Sequence, residues 1–257
     1  MDVAEQGTDI KAKPEKKSGG IGETVKVIIQ ALLIALVFRT LFYHPFNIPS
    51  GSMIPTLLVG DYLFVSKFSY GYSRFSFPVE LTFMNGRYWA GEPERGDIAV
   101  FRLPRETNTD YIKRVIGLPG DKIQMTDGVL SINGKAVKRE RAADYIGENA
   151  LRAPSSVKRY KETLPNGVSY FTLDLTENGP KDTTDVYEVP PGHYFMMGDN
   201  RDNSTDSRFL LEVGFVPAEN LVGRAEVIFF SVDDEAAAWA FWRWPWTLRF
   251  NRFFIGL

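Results

Sequence analysis

The sequence predicts a mainly β protein carrying a single N-terminal transmembrane helix. The helix is predicted by the chain's one long apolar run, "VKVIIQALLIALVFRTLFY", from Val25 to Tyr43. The β class is predicted by the remainder of the chain, with its short apolar alternations broken by turn pairs and no long amphipathic helix beyond residue 45. Bulk composition agrees. At 257 residues, 44% hydrophobic and 14% aromatic, the chain can build one large β domain or two smaller ones with ample core. A formal charge of -2 gives no sign of nucleic-acid binding. The absence of cysteine removes disulfides, thiolate nucleophiles and cysteine metal sites, and two histidines, His44 and His193, are too few for a three-histidine metal site.

Taken in order, residues 1–22 are polar and rich in Lys, Glu and Gly, and read as a disordered tail. In the apolar run only Lys26, Gln30 and Arg39 are strongly polar. Its core, Val27 to Phe38, is short enough to be the apolar region of a cleaved signal peptide, but no small-x-small site follows; the chain continues "FRTLFYHPF", which is too bulky. Lys26 and Arg39 lie near its ends, where long side chains snorkel. The expectation is a retained anchor at 23–43. Lys11, Lys13, Lys16, Lys17 and Lys26 crowd its N-terminal side, and no Lys or Arg occurs between Thr40 and Val65. The positive-inside rule then places the tail in the cytoplasm and residues 44–257 outside, on a single-pass membrane protein.

Beyond the anchor, "KIQMTDGVLSINGKAV" offers Asp127-Gly128 and Asn133-Gly134 between β-type runs, a strong hairpin signal that recurs at Asn85-Gly86 and Asn166-Gly167. A polar, irregular stretch at about 137–188 ("KRERAADYIGENALRAPSSVKRYKE") reads as an inserted subdomain. The chain closes on "AWAFWRWPWTLRFNRFFIGL", which holds four of the five tryptophans (Trp239, Trp242, Trp244, Trp246) and Arg243, Arg249 and Arg252. Trp with Arg suits a membrane interface, where cations meet lipid phosphate; equally, the rings can pack on the domain's own core.

Three stretches could carry chemistry. "NIPSGSMIPTLLVGD", Asn47 to Asp61, holds Ser50 and Ser52 in a turn stiffened by Pro49, Gly51 and Pro55. Proline fixes φ and glycine opens other conformations, so this shaped loop is either a helix cap or a nucleophile holder. A serine hydroxyl needs a proton acceptor. Neither histidine has the setting of a triad, and there is no G-x-S-x-G elbow, so both read as bystanders. The second stretch, "DYIKRVIGLPGD", places Lys113 in a strand-like run, with Tyr111 and Val115 on its face and Ile112, Arg114 and Ile116 on the other. Burial there would depress the ammonium, although a strand lysine can also simply reach solvent. To act as a base near neutrality its pKa must fall from about 10.4 by two to three units. The third, "GDNRDNSTDSRF", Gly198 to Phe209, fails as a calcium loop. From Asp202, position 6 is Ser207 and position 12 is Val213; from Asp199, position 3 is Arg201. It reads instead as a hydrogen-bonded scaffold, and no metal or cofactor is expected.

In order and spacing, "PSGSMIPTL", "GDYLFV", "RGDIAVF", "DYIKRVIGLPGD" and "GDNRDNSTDSRF" resemble the five signature blocks of bacterial type I signal peptidases, membrane segment included. The resemblance implies an antiparallel β catalytic domain of signal-peptidase type with an inserted β subdomain, using a Ser/Lys dyad to remove signal peptides on the outer, periplasmic face. It implies Ser52 as nucleophile and Lys113 as general base. Ser50 falls on the serine whose hydroxyl joins the Ser52 N–H in an oxyanion hole, and Ser204 on the serine that hydrogen-bonds the lysine. Asp206 and Arg208 match the ion pair bracing that loop. Phe46, Ile48 and Ile112 fall where the family lines the pocket for small side chains at -1 and -3. The implied partners are signal-peptide-bearing precursors, membrane lipid and, by proximity, the translocation machinery.

One piece of geometry supports that substrate on its own. Ser52 lies nine residues past Tyr43, so full extension separates them by at most about 30 Å. A nucleophile there works near the bilayer surface, where a signal peptide presents its cleavage site. Rival readings fit less well. A self-cleaving repressor would need a DNA-binding region in place of the anchor; a penicillin-binding-type acyl transferase needs S-x-x-K and K-T-G strings that do not occur. A non-catalytic anchored β domain explains the anchor and the Trp/Arg tail but leaves the spacing of Ser50, Ser52, Lys113 and Ser204 to chance.

Overall fold

The computed structural model describes residues 21–77, 80–148, 154–233 and 241–257. Lys11, Lys13, Lys16, Lys17 and Trp239, with nearly all of the 1–22 tail, lie outside them. The chain divides into two compact units, at Val37/Phe38. The apolar run forms the helix Ile21–Leu41, with Glu23 in its first turn and Arg39 in its last, an arrangement that complements the helix dipole. No residue of this helix is buried, and it is long and apolar enough to cross a bilayer.

The second unit is antiparallel β throughout its main sheets. The largest sheet has eight strands, ordered Tyr43–Asn47, Asp61–Ser66, Leu221–Ser231, Ile98–Leu103, Glu106–Gly117, His193–Met197 and Val216–Pro217, with Ile255–Gly256 pairing onto Leu221–Ser231. Both faces of Glu106–Gly117 are covered toward its end, because Ile112, Val115 and Ile116 each enter a different core cluster. One cluster, built by Ile48, Met53, Leu57, Ile98 and Ile112 with Phe46 packed against it, lies directly beneath the serine turn.

The turn pairs do what their residues allow. Asp127-Gly128 and Asn133-Gly134 all take positive φ, which Asn, Asp and Gly tolerate best, and they close the hairpins linking Lys122–Thr126, Val129–Ile132 and Lys135–Ala136. Asn166-Gly167 lies in the loop joining Pro154–Thr163 to Ser169–Asp174. Asn85-Gly86 departs from expectation: Gly86 has φ 72°, but the strand after it, Arg87–Tyr88, pairs back to Tyr72–Ser73 across a long loop. Within 137–188, Pro154–Thr163 is the centre of a four-stranded sheet with Lys138–Arg141, Tyr145–Glu148 and Ser169–Asp174.

The tail divides between the two readings of its composition. Trp244 and Phe253 pack on Phe230, with ring centroids 5.2 and 5.5 Å away. Trp242, Trp246, Phe250 and Phe254 are exposed. Arg249 and Arg252 point inward: Arg252 Nη2 donates to Asp61 Oδ2 at 2.6 Å and to the Thr56 carbonyl at 3.0 Å, and Arg249 Nη2 donates to the Val59 carbonyl at 2.6 Å. Asp61 is fully buried, so these cations neutralise a carboxylate instead of meeting lipid phosphate.

Candidate active site

The turn that carries the two serines is a single 3-10 turn, Gly51–Met53, entered from an extended Ser50. Met53 and Leu57 are fully buried and anchor the turn from below, while Ser52 is 7% exposed. The loop beyond is tied by its own ends: Leu58 N–H donates to Asp61 Oδ2 at 2.8 Å, and the inward arginines of the tail hold the Thr56 and Val59 carbonyls. Such multiple tethering removes the freedom a proline-glycine loop would otherwise have.

Lys113 comes to this turn from the strand Glu106–Gly117. Its Nζ donates to Ser52 Oγ at 2.7 Å and to the Ile112 carbonyl at 3.0 Å. The lysine is 3% exposed. Burial pushes its pKa down to about 8, opposed by the carboxylates of Asp206 and Asp199 and assisted by Arg208. An amine in that range is neutral often enough near pH 8 to accept a proton from the hydroxyl it touches. Ser50 Oγ stands 3.5 Å from Ser52 Oγ, at the outer limit of a hydrogen bond, and Ser50 is exposed where a ligand can reach it.

The loop 198–208 is the scaffold its composition indicated, and it grips the serine turn. Asn200 N–H donates to the Ser52 carbonyl and Asn200 Nδ2 to the Gly51 carbonyl, both at 3.0 Å. Asp206 is fully buried and accepts from Gly198 N–H, Ser204 Oγ and the guanidinium of Arg208. Although burial alone would raise it, Arg208 and these hydrogen bonds hold the Asp206 carboxyl below its usual range. Gly198 lies so close to the turn that a Cβ would come within 2.6 Å of the Ser52 carbonyl and 2.2 Å of Ser204 Oγ, hence no larger residue fits.

One site residue is placed differently from expectation. Ser204 Oγ donates to Asp206 Oδ2 at 2.8 Å and is not a hydrogen-bond partner of Lys113, whose partners are Ser52 and Ile112. Phe46, Ile48 and Ile112 come together in one apolar cluster, with Ile112 next in sequence to Lys113. Of the two histidines, His44 is held down to about 4, chiefly by burial and then by Lys67 and other nearby cations, and His193 Nδ1 bonds the Pro191 carbonyl. Neither bonds Ser52.

Several residues of the site were not singled out by sequence. Arg114, one position past the lysine, forms a bidentate pair with Asp199 at 2.9 and 2.7 Å, and Thr56 Oγ1 donates to the same carboxylate at 2.5 Å. The density of Asp, Asn and Arg in the scaffold announces such pairing, but nothing local says which partner each takes.

Among proteins of known family, the sequence pattern of the signal peptidase family, peptidase S26, matches residues 21–230. The signal peptidase I of Rickettsia typhi (strain ATCC VR-144 / Wilmington) is 48% identical over 208 residues, 78% of this chain and 76% of that protein. That of Rickettsia prowazekii (strain Madrid E) is 49% identical over the same shares. The crystal structure of a signal peptidase I from Enterococcus faecalis V583 aligns at 30% identity with a TM-score of 0.29, over 52% of this chain and 96% of that one. With a family pattern spanning most of its length and relatives at nearly half identity, the chain belongs to the signal peptidase family, peptidase S26, and is a serine endopeptidase.

Proposed function

We propose that this endopeptidase is anchored in the membrane by residues 23–43 and removes N-terminal signal peptides from exported precursors, cleaving after a small-x-small site with a Ser52/Lys113 dyad. The observation that carries the reading is the 2.7 Å contact between Lys113 Nζ and Ser52 Oγ in a site dry enough to lower the lysine to about 8. In the forward step the neutral amine takes the Ser52 proton as Oγ attacks the scissile carbonyl carbon. The tetrahedral oxyanion forms toward the Ser50 hydroxyl and the Ser52 N–H. Its collapse breaks the C–N bond; the Lys113 ammonium returns its proton to the leaving amine, and Ser52 is left acylated by the signal peptide. Water, losing a proton to Lys113, then attacks that ester, and the proton passes back to Ser52 Oγ as the acid leaves. Phe46, Ile48 and Ile112, which pack in one apolar cluster, are the residues that would select small side chains at -1 and -3.

The same reading gives the chain a cytoplasmic tail at 1–22, an inner-membrane anchor at 23–43 and an outer catalytic domain at 44–257 that carries the 137–188 insert. The signal peptide's apolar region shares the bilayer with the anchor, membrane lipid is a partner, and the translocation machinery is a neighbour. The deciding experiment gives detergent-solubilised protein a synthetic precursor and sequences the new N-terminus. Cleavage after a small residue by wild type, absent in Ser52→Ala, is expected; equal activity in both would end the proposal. For topology, protease added outside spheroplasts should digest the domain after residue 45, and its full protection would reverse the orientation.

A further inference from the structure

Opposite the serine turn, the scaffold loop rests on the sheet of the 137–188 segment. Glu162, on the strand Pro154–Thr163, is fully buried, and both of its oxygens accept from Arg201, at 2.8 and 2.5 Å. Tyr170, on the paired strand Ser169–Asp174, donates its hydroxyl to Glu162 Oε2 at 2.9 Å, and its ring lies 4.2 Å beneath the Arg114 guanidinium. The backbones also join: Leu173 N–H donates to the Asp199 carbonyl at 2.9 Å, and Leu175 and Thr176 N–H donate to Asp202 Oδ2. Arg201 is next in sequence to Asn200, whose N–H holds the Ser52 carbonyl, and the Arg201 carbonyl accepts from Arg208, the partner of Asp206.

A bidentate Arg–carboxylate pair of this kind fixes direction as well as distance. It is sealed from water, so removing one partner leaves an uncompensated charge that must move toward solvent and take its backbone along. Arg201 cannot do so without disturbing Asn200 on one side of it and the Arg208–Asp206 pair through its carbonyl. From this geometry we infer that Glu162, supported by Tyr170, is a positioning residue: through Arg201 it sets the scaffold loop against the Ser52 turn, making the inserted sheet a working part of the active site.

The inference rests on the Ser52/Lys113 reading, and one assay separates the two. Wild type, Ser52→Ala, Glu162→Gln, Tyr170→Phe and the double variant Glu162→Gln/Arg201→Gln are compared on the same precursor, with kcat, KM and melting temperature measured for each. If wild type cleaves and Ser52→Ala does not, the dyad reading stands and the remaining variants bear on Glu162 alone. Misplacement of catalytic groups by a fraction of an ångström to 1 Å costs up to about 100-fold. Glu162→Gln is therefore expected to lower kcat by about 10- to 100-fold with KM near wild type. The double variant, in which two neutral amides can bond without a stranded charge, is expected to recover most of that loss. Tyr170→Phe, which removes only a hydroxyl, should lower kcat a few fold and serves if Glu162→Gln does not fold. Wild-type kcat in Tyr170→Phe and in every folded Glu162 variant, with only the melting temperature reduced, would overturn the inference and leave Glu162 a purely structural residue.

Discussion

Two lysines in this molecule share almost everything except a neighbour. Lys113 and Lys67 are 3% and 5% exposed, and burial lowers both to about 8. Lys67 follows the strand Asp61–Ser66, sits near Arg39, Asp110 and Arg102, and donates to the Ser76 carbonyl. Lys113 donates to a serine hydroxyl. A carbonyl has no proton to give, whereas a hydroxyl does, so the same depressed amine is inert in one corner and chemically useful in the other. Desolvation makes a lysine available as a base; geometry decides whether it is one.

The comparison can be broken most directly by removing each amine. Lys113→Met is expected to reduce precursor cleavage to the background of Ser52→Ala, while Lys67→Met keeps wild-type activity; equal losses in single-turnover rates would mean that burial, not the serine contact, is what matters. Next in size, Ser50→Ala should lower kcat by about 10²–10³ through loss of an oxyanion donor. Ser204→Ala should cost roughly tenfold, the worth of one hydrogen bond, because this hydroxyl bonds Asp206 and not the base.

The pH profile sharpens the contrast without changing a catalytic atom. In the proposed dyad Lys113 acts as a neutral base, so kcat/KM should rise with pH and level off above about 8. Lys67→Met should leave that limb where it is, and a displaced limb would transfer the titration to Lys67. Stability follows the opposite sense from a salt-bridged lysine. The folded pKa lies below the unfolded 10.5, so the buried amine opposes folding fully below pH 8, by about 3 kcal/mol, and ceases to do so as pH rises toward 10.5. Denaturation of Lys113→Met at pH 7 should accordingly show a protein no less stable than wild type, and the difference should shrink at alkaline pH. The smallest effects belong to His44→Ala and His193→Ala, whose cleavage rates should match wild type.

Much of this was legible in the sequence, for reasons that differ by region. Asp127-Gly128, Asn133-Gly134 and Asn166-Gly167 announced hairpins because such turns have local requirements that these residues meet, whereas Asn85-Gly86 did not close one. The helix was legible because an apolar run of that length has few other uses. Alternation placed Lys113 between apolar neighbours, but joining it to Ser52, 61 positions away, needed the resemblance. The bond from Ser204 to Asp206 was not legible, because several groups lie within reach of one hydroxyl and only the fold brings this carboxylate to it. Composition left the tail divided between a lipid interface and the domain's own core, because nothing local shows that Arg249 and Arg252 meet Asp61, far upstream. Glu162 was invisible in a segment that looked merely polar, since its meaning comes from Arg201 on another element.

The inward arginines also set a timetable. The Ser52 turn is among the first parts of the domain to be synthesised, yet Asn200 meets it from 149 positions away and Arg252 reaches Thr56 from 196. Pairings of such long range form late and slowly. The Ser52 turn and the loop beyond it therefore stay without these tethers until Asn200 and Arg252 have been translated, so the residues that shape this corner are among the last to meet it.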